Sequence, residues 1–251
     1  MKYRAVFIDW DDTLGDWRGS AEEAQRVLFD KHINPLLTAA GLVVPFEDYL
    51  AYYRAHNTEL WERYAAGDIT REYLHLDQFL NPVCHYLGIP TEAAGQDLIN
   101  LCTGLGTDYI ELTLDNSRLT PDAKEVVEYL AKKYILTIVS NGFVEMQYMK
   151  LQRSGLQPFV KHTVFSEEVG VMKPDPRIME IAIARNEPDL PNLQPDEVVM
   201  IGDSFSSDIA GAVAAGIDTI WWVRPETTPT REQEEKATYV VHSLKEVMTI
   251  L

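Results

Sequence analysis

Three acidic residues, Asp9, Asp11 and Asp12, follow directly on the apolar run Ala5-Val6-Phe7-Ile8. An apolar run that breaks abruptly into acid is the pattern of a buried strand ending at a polar site. Asp9 and Asp11 stand two apart, so in an extended or tightly turned segment their carboxylates and carbonyls can converge on one small volume. There an aspartate can act as nucleophile, a neighbouring acid can carry the leaving-group proton, and a hard divalent cation can hold the charges together. The duller alternative is an acidic turn, since Asp bonds its own backbone after many strands. Phe7–Leu14 alone leaves both readings open, so the rest of the chain has to decide.

Further polar groups stand where other apolar runs stop. Val139 gives way to Ser140-Asn141-Gly142, and Ile201 to Gly202-Asp203-Ser204, with Asp208 a few residues on. The loop Gly170–Pro176 carries Lys173 ahead of a helix. Taken singly, Asn141-Gly142 is a turn dipeptide, Lys173 a solvated loop lysine, Asp203 a turn former and Asp208 a helix-initiating acid. Their order and placement at strand ends make coincidence the poorer account, because doubly wound sheets bind ligands beyond the carboxyl ends of their strands.

The elements that must position these groups change character along the chain. From Ser20 to about Asn116 the signals are helical. Phe46, Tyr49, Leu50, Tyr53, Leu60, Trp61 and Tyr64 recur at helical spacing, and Thr70 suits an N-cap for a second helix in which Asn81-Pro82 predicts a kink or split. A further helix from Thr91 and an earlier one over Ala21–Leu28 complete a small bundle. From Thr120-Pro121, expected to open a helix, strands and helices alternate: strands at 135–139, 162–165, 198–201, 219–223 and 239–241, with helices at 143–154, 175–186 and 207–215 between them. The expected fold is α/β, a doubly wound parallel-sheet (Rossmann-like) core with an inserted helical-bundle cap domain. The core takes residues 1–16 and 117–251, and the cap 17–116.

Composition sets outer bounds. At 251 residues the chain can bury a sizeable core, and a net charge of −17 argues against a nucleic-acid polymer or a membrane surface as partner. A small anionic substrate stays admissible, because one metal ion and one lysine make a local positive pocket. No apolar run spans a bilayer and the amino terminus enters a strand directly, so neither a transmembrane helix nor a signal peptide is expected. Cys84 and Cys102 lack a paired spacing and are expected to be reduced buried thiols, which implies a cytoplasmic setting. The oligomeric state is left open.

With all four groups present in order, the sequence resembles the haloacid dehalogenase superfamily of phosphohydrolases with a helical (type C1) cap. Asp9-Trp10-Asp11-Asp12-Thr13-Leu14 is similar to its first motif, Ser140-Asn141-Gly142 to the second, Lys173-Pro174 to the third and Gly202-Asp203 through Asp208 to the fourth. The resemblance implies Asp9 as nucleophile, Asp11 as general acid and base, and Ser140, Asn141 and Lys173 as binders of the phosphoryl oxygens. It also implies Mg²⁺ held by the Asp9 carboxylate, the Asp11 backbone carbonyl and Asp203, with Asp208 in support through water or by pairing with Lys173. For Asp11 to give up a proton near neutral pH its pKa must rise from about 3.9, which burial under a closed cap would achieve.

Asp11 counts against the dehalogenases of the superfamily, which protonate no alkoxide. Asn141-Gly142-Phe143 through Gln147, Leu151 and Ser154-Gly155-Leu156, then Ser166–Gly170, is similar to the intracellular pyrimidine 5′-nucleotidases, as is Leu60-Trp61 through Thr70. A small phosphorylated metabolite is therefore the expected substrate, with nucleoside 5′-monophosphates leading. Trp10, Trp17, Trp61 and Tyr64 are candidates to stack on a base, against the plainer expectation that such aromatics pack a core. A sugar-phosphate phosphatase, a phosphomutase of the same superfamily and a noncatalytic phospho-ligand or signalling domain are the alternatives.

Overall fold

The computed structural model describes residues 2–251. It places β1 at Ala5–Ile8, followed by α1 (Trp17–Leu28), α2 (Asn34–Ala39), α3 (Phe46–Ala65), α4 (Arg71–Leu87) and α5 (Gln96–Asp115). Helix α6 (Ala123–Leu130) leads to β2 (Ile135–Ser140), α7 (Val144–Arg153), β3 (His162–Phe165), α8 (Ser166–Val169) and α9 (Arg177–Asn186). The chain continues through β4 (Val198–Gly202), α10 (Ala210–Ala214), β5 (Asp218–Trp222), α11 (Arg231–Lys236), β6 (Tyr239–Val241) and α12 (Val247–Ile250). Two compact units result. One runs to Trp17 and resumes at Ser117–Leu251, and the other is Arg18–Asn116.

The first unit is built on a six-stranded sheet in the order β3-β2-β1-β4-β5-β6, every neighbour parallel. The strand order reverses at β1, which puts the switch point of this doubly wound α/β sheet beside Asp9. Every residue of β1 is at most 1 % exposed. Val6 and Ile8 join Val126, Leu136, Ile138 and Ile220 on one face, while Ala5 and Phe7 join Val139, Ile178 and Met200 on the other. Burial on both faces, at about 1.5–3 kcal/mol for each large apolar side chain, is why this strand is a continuous apolar run instead of an alternating one.

Register delivers the polar groups to one level. Ile8 lies opposite Ile138 of β2 and Ile201 of β4. The Asp9 amide donates to the Ile201 carbonyl at 2.9 Å. Asp9, Ser140 and Asp203 therefore leave the sheet along the same edge.

The second unit closes its own core around Leu28, Phe29, Tyr49, Phe79, Cys102 and Leu105. Thr70 caps α4 by accepting from the Tyr73 amide at 3.2 Å, and Gly88 ends that helix at φ +69. Of the kink or split expected at Asn81-Pro82, the split does not occur. Helix α4 continues to Leu87 because buried Phe79, Val83 and Cys84 hold the turns on either side, offsetting the ~3 kcal/mol that an interior proline costs. Thr120 differs from expectation as well: α6 starts at Ala123 after Asp122 at φ +63, and the Thr120 hydroxyl donates to the Thr13 carbonyl at 2.6 Å. That bond ties the loop after β1 to the chain's return into the first unit. Among the described residues no helix is long and apolar enough to cross a membrane, and Cys84 and Cys102 are free and buried.

Candidate active site

Lys173 lies at the centre of the polar edge. Its ammonium donates to Asp9 Oδ1 at 2.5 Å and to the Val139 carbonyl at 2.7 Å, and it pairs with Asp208 Oδ1 at 2.7 Å. All three side chains are buried. Burial by itself would lower the lysine pKa, yet Asp208 and Asp9 more than offset this and raise it, so the ammonium stays charged. Asp9 is pushed well above the usual carboxylate range, by burial first and by Asp208 next, against the pull of Lys173.

Asp203 extends the cluster from the end of β4. Its Oδ1 accepts from the Thr13 hydroxyl at 3.1 Å, and its amide donates back to that hydroxyl at 3.0 Å. Burial, with Asp208 and Asp12 adding repulsion, pushes its carboxyl up to about 7. Asp208 lies in a π-helical stretch, Phe205–Ile209, and its Oδ2 accepts from the Ser204 amide at 3.0 Å. Carboxylate oxygens of Asp9, Asp203 and Asp208 lie within 4.8 Å of one another. Gly202 makes this approach possible, since a Cβ there would collide with the Asp208 carboxylate.

At the end of β2 the Ser140 hydroxyl is buried, with no hydrogen-bond partner. Asn141 contacts the Lys173 backbone. Its amide donates to the Lys173 carbonyl at 2.9 Å and accepts from the Lys173 amide at 2.8 Å. With both ends of the side chain engaged, Asn141 holds the Lys173 loop, and the second hydrogen of its amide nitrogen is the donor left over.

The Asp11 carboxylate stands outside the three-carboxylate cluster, with Oδ1 accepting from Lys150 Nζ at 2.6 Å and Oδ2 from Gln147 Nε2 at 2.8 Å. A cation and an amide engage both oxygens of this carboxylate, whose side chain is 24 % exposed. The structure thus gathers Asp9, Lys173, Asp203, Asp208 and Ser140 at the edge, assigns Asn141 to the lysine loop, and turns the Asp11 side chain toward α7.

The sequence profile of the haloacid dehalogenase-like hydrolases matches residues 3–216. The chain belongs to that family. Pyrimidine 5′-nucleotidase YjjG of Escherichia coli is 30% identical over 254 residues, covering 100% of this chain and 99% of that protein. A glyceraldehyde 3-phosphate phosphatase of Pyrococcus furiosus is 27% identical over 257 residues, covering 100% and 93%. The solved structure of the HAD-hydrolase YfnB of Bacillus subtilis, bound to magnesium, matches with a TM-score of 0.77 at 27% identity, covering 100% of this chain and 99% of that one. Both named relatives, a nucleotidase and a phosphatase, are similar to this haloacid dehalogenase-like hydrolase along its whole length.

The donor set of this hydrolase fits a hard divalent cation. Three carboxylates face a single ammonium, which leaves two formal negative charges uncompensated among all-oxygen ligands. Four contributors went unread in the sequence. Thr13 fastens Asp203, Arg224 pairs with Asp12 at 3.0 Å, and Gln147 and Lys150 hold Asp11. The one available signal was a lysine on the apolar side of α7 beside Met146 and Leu151, where a charge needs a buried partner. Of the aromatic candidates, Trp10 is part of the core. Trp17 lays its ring over Lys150 Nζ at 3.5 Å, and Trp61 and Tyr64 pack edge to face at 5.7 Å.

Proposed function

We propose that this hydrolase is a Mg²⁺-dependent phosphatase that hydrolyses small organic phosphate monoesters through an aspartyl phosphate on Asp9, with nucleoside 5′-monophosphates as its main substrate class. The observation that carries the reading is the buried Asp9–Lys173–Asp208 group, sharing one sheet edge with Asp203 and the unpartnered Ser140 hydroxyl. A tetrahedral dianion supplies the acceptor that Ser140 lacks and the negative charge that Lys173 attracts.

The Asp9 carboxylate attacks phosphorus, and the bond to the departing oxygen breaks as Asp11 delivers its proton there. A water molecule then attacks the phosphorus of the acyl phosphate, gives its proton to Asp11, and frees Asp9 and inorganic phosphate. One difficult displacement becomes two easier ones. Lys173 and Ser140 hold the equatorial oxygens, and Asn141 acts by fixing the Lys173 loop. Asp9, Asp203 and the Asp11 backbone carbonyl, with Asp208 in support, would hold Mg²⁺, which would supply charge neutralisation for the attack of one anion on another. The free buried thiols suit a cytoplasmic setting.

Support for nucleotides comes from the full-length similarity to YjjG, and support for sugar phosphates from the Pyrococcus relative. A panel of pyrimidine and purine nucleoside monophosphates and sugar phosphates, assayed with Mg²⁺, separates the two. Higher kcat/KM on sugar phosphates ends the nucleotide assignment. Asp9→Asn is expected to abolish turnover while the protein stays folded. Turnover that survives the substitution ends the covalent mechanism.

A further inference from the structure

The strand end that carries Ser140 leads directly into α7, and α7 returns two side chains to the first motif. Gln147 and Lys150 stand three apart, so they share a helix face. Each takes a different oxygen of Asp11, at 2.8 Å and 2.6 Å. Two donors on two oxygens fix both the position of that carboxylate and the plane in which it lies.

The surroundings are built for this grip. The Lys150 side chain is 5 % exposed, and the Trp17 ring covers its ammonium. Gln147 is buried, and Gly142 leaves the space its amide occupies, since a Cβ there would strike Nε2. Among the described residues its Oε1 has no partner, so the polar contact that the side-chain amide makes there is the one to Asp11. A buried lysine and a buried glutamine aimed at a bystander carboxylate would only balance charge. Here they meet the group that has to present a proton along the line opposite Asp9, where a displacement of about 1 Å costs about a hundredfold in rate.

We propose that Lys150 and Gln147 are positioning residues that hold the proton carrier Asp11 in line with the departing oxygen. The inference rests on the reading of Asp11 as general acid and base. Proton delivery matters most when the leaving group is a poor one, and this gives a readout that structural damage does not mimic.

The test compares kcat/KM, which reports through the first phosphoryl transfer, on phenyl phosphate and p-nitrophenyl phosphate. The two share the phenyl phosphate skeleton and differ by the para nitro group, but phenolate needs protonation to leave and nitrophenolate leaves unaided. Lys150→Met is expected to lower the phenyl-to-nitrophenyl ratio about tenfold or more, within the range that general acid catalysis supplies. Gln147→Met keeps the lysine and is expected to shift the ratio in the same direction by a smaller factor. It carries the comparison if Lys150→Met does not fold, as judged by circular dichroism. Equal losses on both esters in a folded variant, or no loss on either, overturn the proposal. Asp11→Asn separates the two layers. If it too leaves the ratio unchanged, the role of Asp11 is wrong. If it shifts the ratio and the other variants do not, only the positioning role is wrong.

Discussion

Lys173 is a single positive charge set between two buried carboxylates, and what happens when it is removed follows from electrostatics alone. Lys173→Met leaves Asp9 and Asp208 facing each other beside Asp203 with no counter-charge. Breaking a buried ion pair from one side costs about 3–5 kcal/mol. Thermal unfolding of the variant is therefore expected well below the wild type, with the gap narrowed by Mg²⁺, which stabilises whichever folded form binds it. An unchanged melting temperature would show that the triad contributes nothing to stability. In the helical unit, Tyr49 and Tyr53 are buried phenols pushed well above the ordinary tyrosine range, by burial first. The folded state keeps them protonated, so their contribution is complete below the unfolded value of about 10 and is lost as pH rises beyond it. Urea titrations are expected to give constant stability up to that point and a decline above it. Because the Tyr49 hydroxyl has no hydrogen-bond partner, Tyr49→Phe is expected to gain about 1 kcal/mol at neutral pH and to flatten the alkaline decline. A loss of stability in that variant would mean the hydroxyl has a bound partner.

Among the elements, the strands were the most legible. Ala5–Ile8, Ile135–Val139 and Val198–Ile201 are buried on both faces, so their apolar runs carry the signal by themselves, and each stops where the sheet edge begins. Asp9, Lys173, Asp203 and Asp208 were legible for the same reason, as polar residues placed where a buried strand or its loop ends. What stayed hidden depends on reach across the fold. Gln147 and Lys150 meet Asp11 only because α7 packs back toward the loop after β1, and 136 to 139 residues of sequence separate the partners. The bonds of the Asn141 amide to the Lys173 backbone, 32 residues away, could not be read from sequence either. Thr120, which looked like a cap, is drawn off its helix by the Thr13 carbonyl. Element ends are also where small residues become obligatory. Gly202→Ala puts a methyl group into the Asp208 carboxylate at the end of β4, so kcat is expected to fall at least about tenfold with the sheet intact, as steady-state kinetics and circular dichroism together would show. Wild-type kcat would mean that Asp208 can shift without disturbing Lys173.

For the molecule as a whole, a charge of −17 opposes the approach of an anionic substrate, while the site itself holds Lys173 and calls for a divalent cation. The two fields act over different distances. At physiological salt the screening length is about 8 Å, so added salt weakens the global repulsion more than the contacts inside the site. At saturating Mg²⁺, KM for a phosphate monoester is expected to fall as ionic strength rises from a low value toward the physiological one, with kcat little changed. A KM that rises with salt would show that a local positive funnel outweighs the net charge.

The place of β1 in the sheet has a further consequence, one of timing. This strand occupies residues 5–8, yet both strands that flank it lie beyond residue 117. As the polypeptide leaves the ribosome, the contiguous segment 18–116 has all its own core residues in hand while β1 still has none of its pairing partners. The helical segment can therefore mature first, and the apolar tetrapeptide ahead of it must wait, unpaired and sticky, until β2 and β4 have been made. A slow stretch of translation between residues 116 and 198 would prolong that vulnerable interval, and a chaperone that binds short apolar peptides would find its earliest customer at β1.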